Sequence, residues 1–230
     1  MMAQQLPLGM TLGSDLTFAT LVAAPNDEAL AAVRAALEGS GQLVYLWGSE
    51  GSGRSHLLQA LVRDASVHDQ HAALLPMRER DSWQPEMLEG LDNLDVIALD
   101  DIDAIAHDVD WERAVFNLFN AVRDAGGNLV VSARSAPGGL DMLLPDLRSR
   151  LGSMLVYQWK GLDDEGRLEA LQKKAAARGM ELPTETAQWL LLRHSRDMHF
   201  LAGVLDRLDH ASLAAQRRLT IPFIREVLAD

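Results

Sequence analysis

The chain has 230 residues, 48% of them apolar, and a formal net charge of −12. That length buries one sizeable core with room for a small annex. The acidic balance opposes tight, sequence-independent binding to nucleic acid, which relies on neutralising phosphates with lysine and arginine.

The chain contains no cysteine, which excludes disulfides and thiolate zinc sites. Its first basic residue is Arg34, so no secretory signal is expected. With no run approaching ~18 apolar residues, no spanning helix is expected either, and the sequence reads as cytoplasmic.

Residues 1–19 are small, polar and punctuated by glycine, and read as a flexible tail. Helical periodicity begins after Pro25-Asn26-Asp27. Asn26 or Asp27 is the expected cap of a helix from Ala29 to Leu37, which Gly39 and Gly41 end. An apolar strand over 43–47 leads into Gly48-Ser49-Glu50-Gly51-Ser52-Gly53-Arg54-Ser55, and a helix over 54–65 follows. Strand, glycine loop and helix in that order make a phosphate-binding loop: inward-facing N–H groups and the helix dipole hold phosphate through the main chain. The pattern places Gly48, Gly51, Ser52, Gly53 and His56 at the nucleotide, the Ser55 hydroxyl on magnesium, and Arg54 toward the outer phosphates. Arginine stands here where lysine is expected, and a planar fork does not replace a compact point charge in catalysis. The loop therefore speaks for binding ADP or ATP more than for hydrolysing it.

Further along, the sequence predicts a strand over 72–75, a short helix over 85–90 opened by Pro85, and a buried strand over 94–99 that runs into Asp100-Asp101. Asp100 is expected to hold magnesium through water and Asp101 to orient an attacking water. Asp110 is the predicted cap of an amphipathic helix over 111–125, ended by Gly126-Gly127. A strand over 129–132, a helix over 145–151 and a strand over 154–157 complete the alternation. Beyond Trp159 only helices are predicted: from Asp163 or Asp164 to Arg178, from Pro183, from about Met198 to Gln216, and from Thr220 onward. The fold class is α/β, with a parallel-sheet base over 20–160 covered on both faces and a small helical lid over 161–230. Lys173-Lys174 and Arg217-Arg218 are candidates for a basic patch, although such pairs more commonly make a solvated helix face.

The glycine loop and the paired aspartates together resemble the AAA+ ATPases. From Leu43 to about Leu228 the chain resembles the replication initiator DnaA. The initiators continue into a helix-turn-helix DNA-binding domain after the lid, whereas this sequence stops at Asp230, which is similar to the DnaA-related regulatory inactivators. Gln5-Leu6-Pro7-Leu8-Gly9-Met10 resembles the hexapeptide by which such proteins dock on the DNA polymerase III sliding clamp. Gln5 would supply directed hydrogen bonds, and Leu6, Leu8 and Met10 would fill an apolar groove.

Leu144-Pro145-Asp146-Leu147-Arg148-Ser149-Arg150-Leu151 resembles the family segment that carries an arginine finger. That likeness makes Arg150 a catalytic residue acting in a neighbouring AAA+ subunit; its local reading is a helix-end cation. Ser132 stands where the family senses the γ-phosphate, and Arg134 where relatives often carry aspartate. His199 replaces the usual lid arginine, with Arg196 one turn away.

The resemblance implies a nucleotide-bound protein, with Mg, that is tethered to the clamp and makes DnaA hydrolyse its own ATP, so repressing re-initiation. DNA would be met through the clamp, and self-association is possible. Two alternatives stay open: an autonomous ATPase that loads a helicase or remodels nucleic acid, and a scaffold that nucleotide merely stabilises.

Overall fold

A computed structural model describes residues 15–39, 41–193, 198–215 and 218–228. The base contains helix α1 (Asp27–Ala35), strand β1 (Leu43–Trp47), helix α2 (Arg54–Val67), strands β2 (Ala72–Pro76) and β3 (Val96–Asp100), helix α3 (Val109–Ala125), strand β4 (Asn128–Ala133), helix α4 (Pro145–Gly152) and strand β5 (Leu155–Gln158). The strands form one parallel sheet in the order β2-β3-β4-β1-β5. Alternate residues of each strand face opposite sides, so apolar strands feed two cores. Tyr45, Ile97, Leu99, Leu129 and Val131 pack against Trp111, Val115, Leu118, Phe119 and Val122 of α3 and Leu147 and Leu151 of α4. Val44, Leu46, Leu74, Ala98 and Val130 pack against Ala29 and Val33 of α1 and Leu57, Leu58 and Leu61 of α2.

Four helices follow: α5 (Asp164–Ala177), α6 (Thr184–Arg193), α7 (Met198–Ala215) and α8 (Ile221–Leu228). They enclose a third core of Leu171, Ala175, Leu190, Leu201, Leu205, Leu208, Phe223 and Ile224. The base-and-lid order expected from the sequence is thus present. Among the described residues no helix is long and apolar enough to cross a membrane.

Several local expectations change. The cap of α3 is Asp108, whose carboxylate accepts from the Trp111 N–H at 3.3 Å, because the helix starts two residues earlier than predicted. Asn26 precedes α1 without capping it. Its side-chain amide instead pairs with both backbone groups of Lys160, donating to the carbonyl at 2.9 Å and accepting from the N–H at 2.8 Å. That is the bonding of a strand neighbour, and it fixes the chain where the base passes into the lid. The helix expected over 85–90 is a 3-10 turn, Pro85–Leu88.

The segment read as a tail is already anchored at Asp15, whose carboxylate accepts from Lys174 Nζ on α5 and from Nη1 of Arg178, the residue that ends α5, both at 2.9 Å. Lys174 is consequently buried, neither a basic patch nor a solvated face.

Candidate functional site

The loop after β1 is shaped by close packing at two of its glycines. Gly48 lies against the Trp159 carbonyl so closely that a Cβ there would come within 2.2 Å of the oxygen. Gly53 holds φ +100 and leads into α2, whose N-terminus has no side-chain cap. The first-turn N–H groups of α2 therefore need partners from outside the helix. Trp159, itself buried, braces the loop through its indole N–H, which donates to the Ser52 carbonyl at 3.0 Å. The Ser52 hydroxyl is buried and has no hydrogen-bond partner among the described residues. In front of the loop is a cleft of about 330 Å³, bounded by Ser49 to Ser52, by Gly161 and Leu162, and by Arg167 of α5 and Met198 of α7. Ser52, with its unpartnered hydroxyl, and the lid arginine Arg167 border one cleft next to the uncapped start of α2, an arrangement that fits a phosphorylated ligand.

The charged side chains behind the loop are bound to one another. Arg54 is 5% exposed, and its guanidinium does not point outward as expected. One terminal nitrogen donates to the Gly48 carbonyl and, at 3.4 Å, to that of Ser49; the other meets Asp101 Oδ1 at 3.0 Å. Arg78, just beyond β2, donates from Nε to Asp101 Oδ2 at 2.6 Å and from Nη1 to Glu50 of the loop at 3.1 Å. Asp101 is thus held between two arginines. Burial and the adjacent Asp100 carboxylate push its carboxyl above the ordinary range, against the downward pull of Arg78 and Arg54.

The Ser132 hydroxyl is also engaged within the protein. It donates to Asp100 Oδ1 and accepts from the Asp101 N–H at 2.9 Å, tying β4 to the end of β3. Arg134 pairs with Asp103 at 2.5 Å.

The His56 side chain turns away from the loop toward Thr17, whose carbonyl lies 3.0 Å from Nε2. A carbonyl only accepts, so Nε2 carries the proton. Burial and the Lys174 ammonium push the His56 pKa down to about 4, against the opposing effects of that hydrogen bond and Asp15. Ser55 and Asp100 supply one hydroxyl and one carboxylate, a donor set that suits magnesium completed by water and phosphate. Among the described residues no group of three or more His, Cys, Asp or Glu could hold a metal alone.

Arg150 is half-buried on α4, with Leu147 and Leu151 of the same helix turned into the core. It makes no ion pair among the described residues. Gln5, Leu6, Leu8 and Met10 lie outside the described residues, as do Arg196 and the His199 side chain. Arg167 was missed by sequence reasoning. The available signal was a cation at the start of a helix, where the dipole disfavours it; there it pairs with Asp164 at 2.9 Å.

Two family models match the chain. That of the bacterial DnaA ATPase domain covers residues 12–158, and that of the Hda lid domain covers residues 164–228. Among solved structures, domain III of the Thermotoga maritima replication initiation protein DnaA is similar, with a TM-score of 0.79 at 20% identity over 96% of this chain and 98% of that one. AMPPCP-bound DnaA from Aquifex aeolicus gives 0.70 at 21% identity, over 88% of this chain and 67% of that one. The Thermotoga maritima RuvB Holliday junction branch migration motor gives 0.63 at 16%, over 89% and 68%. At these identities the structural likeness is one of fold, an AAA+ base followed by a helical lid. The chain belongs to the bacterial DnaA ATPase-domain family and carries a lid of the Hda kind.

Proposed function

We propose that this protein is a nucleotide-bound regulator that activates ATP hydrolysis in DnaA rather than in itself. The observation that carries this reading is the pairing of Arg54 with Asp101. The loop cation and the second aspartate, the two groups hydrolysis would need free, neutralise each other in a buried contact. With Oδ1 bound by Arg54 and Oδ2 by Arg78, Asp101 has no oxygen free to orient an attacking water.

The remaining residues suit binding. First-turn N–H groups of α2 would hold phosphate, Arg167 would face it from the lid, and Ser55 with Asp100 would hold a magnesium ion, which would supply charge to offset the phosphates. ADP is the expected resident, held by the loop's main-chain donors.

Arg150 supplies the other half. It stands on a short helix, anchored by buried leucines, with its guanidinium unclaimed by any carboxylate among the described residues. An arginine presented to ATP-bound DnaA meets the charge that develops on the γ-phosphoryl oxygens. The hexapeptide Gln5 to Met10 would tether the protein to the DNA-loaded sliding clamp, so that inactivation follows replication and re-initiation is repressed.

The test is the rate of ATP loss from pre-loaded DnaA with this protein and clamp-loaded DNA. Arg150→Ala should fold and bind the clamp normally while the stimulation falls about 10³-fold. Changing Gln5, Leu6 and Leu8 to alanine should abolish the clamp-dependent stimulation. Equal stimulation by Arg150→Ala defeats the assignment, and ATP turnover by this chain alone would favour an autonomous remodelling ATPase.

A further inference from the structure

We infer that Arg78, not the loop's own Arg54, is the cation that meets the terminal phosphate of the bound nucleotide. This rests on the reading that the loop binds nucleotide, and names the residue that completes its outer end.

The two arginines differ in how far they are already spent. Arg54 is 5% exposed; both its terminal nitrogens are bonded to Gly48, Ser49 and Asp101, and its Nε is buried without a partner. Swinging it out would strip a buried carboxylate of one of its two charge partners and leave loop carbonyls unsatisfied, which is the expensive way to break an ion pair. The Arg78 side chain is 47% exposed. Its Nε and Nη1 are engaged, while Nη2 has no partner among the described residues. One of its two partners, Glu50, is 70% exposed and contributes little, as solvated pairs do.

Topology puts Arg78 in the right place. Pro76 at the end of β2 is in register with Asp100 at the end of β3, so the chain just beyond β2 emerges beside the paired aspartates. Ligands of open parallel sheets lie outside the carboxyl ends of the strands. The 330 Å³ cleft lies on the lid side of the loop, and Glu50 borders it. Arg78 does not itself line the cleft, but it holds Glu50, which does, at 3.1 Å, and so stands next to the loop's outer end. A terminal phosphate would take Nη1 from Glu50 and add Nη2, giving the two-pronged contact that a guanidinium makes with phosphate. Asp101 would keep Nε and hold the fork in plane.

The experiment is calorimetric titration of the full chain with ADP, ATP and AMP. Arg78→Gln should weaken ADP and ATP about tenfold, the size of one charge-assisted contact, and leave AMP unchanged. Arg78→Lys should recover part of the loss, which a merely structural effect would not show. Glu50→Gln removes the competitor and a like charge, so it should tighten ADP severalfold. The melting temperature of each variant without nucleotide checks that folding is intact. Unchanged ADP affinity in Arg78→Gln, or an equal loss for AMP, would overturn the assignment. Failure of the unaltered protein to bind any of the three would instead remove the nucleotide reading on which it rests.

Discussion

At the scale of single residues, His56 shows how one buried ring couples stability to pH. Its unfolded pKa is about 6.5 and its folded value about 4. Between those values the unfolded chain holds a proton that the folded one refuses, so stability falls as pH drops from 6.5 toward 4 and is untouched above that window. The full loss is on the order of 3 kcal/mol from this ring. Denaturant unfolding at pH 7.5 and pH 4.5 should show it. His56→Gln, whose amide can still donate to the Thr17 carbonyl, should flatten the dependence; an unchanged slope would mean that other groups carry it. His56 was placed at the nucleotide because it follows Ser55 in the motif, and its true partner, Thr17, lies far back in the chain. Arg54 misled for a related reason. The glycine spacing told where the loop is, but nothing local told that Asp101 would claim the guanidinium.

At the scale of elements, Glu112 on α3 fixes α4, which carries Arg150. It is fully buried, and its carboxylate accepts from the N–H groups of His107 and Leu143, each at 3.0 Å, and of Leu144 at 2.7 Å. Leu144 is the residue at the N-terminus of α4, whose start has no side-chain cap of its own. A carboxylate from the neighbouring helix thus holds the two N–H groups just before α4 and fixes where the chain enters it. Glu112→Gln keeps the shape but turns one oxygen into a donor that faces an N–H. The expected cost is about 1–3 kcal/mol in urea unfolding. On the proposed function, stimulation of DnaA hydrolysis should fall with nucleotide affinity unchanged. A variant of full stability and activity would show that α4 is positioned by Leu147 and Leu151 alone.

Elements of this kind were the most legible part of the chain. The strands were announced by apolar runs and the α-helices by periodicity or by capping residues, because these signals are local. The start of α3 was misplaced because Asp108 and Asp110 are equally good caps on paper, and only the accepted Trp111 N–H distinguishes them. The role of Glu112 was invisible, since its partners are loop backbone brought close by the fold.

At the scale of the whole molecule, residues 15–20 form a strap joining base to lid. Asp15 binds Lys174 of α5 and Arg178 at the end of that helix, and Arg178 also reaches Asp206 of α7 at 2.7 Å. Two residues on, the Thr17 carbonyl meets His56 of α2. Because the cleft lies between the loop and the lid residues Arg167 and Met198, whatever holds the lid in place also sets the width of that cleft. Against the upward push of burial, Lys174 and Arg178 hold the Asp15 carboxyl below the ordinary range, so the strap stabilises the fold above that range and is lost as pH falls through the lowered value.

Asp15→Asn leaves a buried ammonium without its counter-charge, a change that costs about 3 kcal/mol where one partner of a buried pair is removed. The effect should concentrate at the junction. Hydrogen exchange should quicken in α5 and in residues 15–20 while β1, β3 and β4 stay protected, and nucleotide affinity should drop because the lid side of the cleft is no longer fixed. Uniformly faster exchange through the sheet would mean that Asp15 supports global stability. Unchanged exchange in α5 would mean that the lid is held by the Asn26 clamp on Lys160 instead.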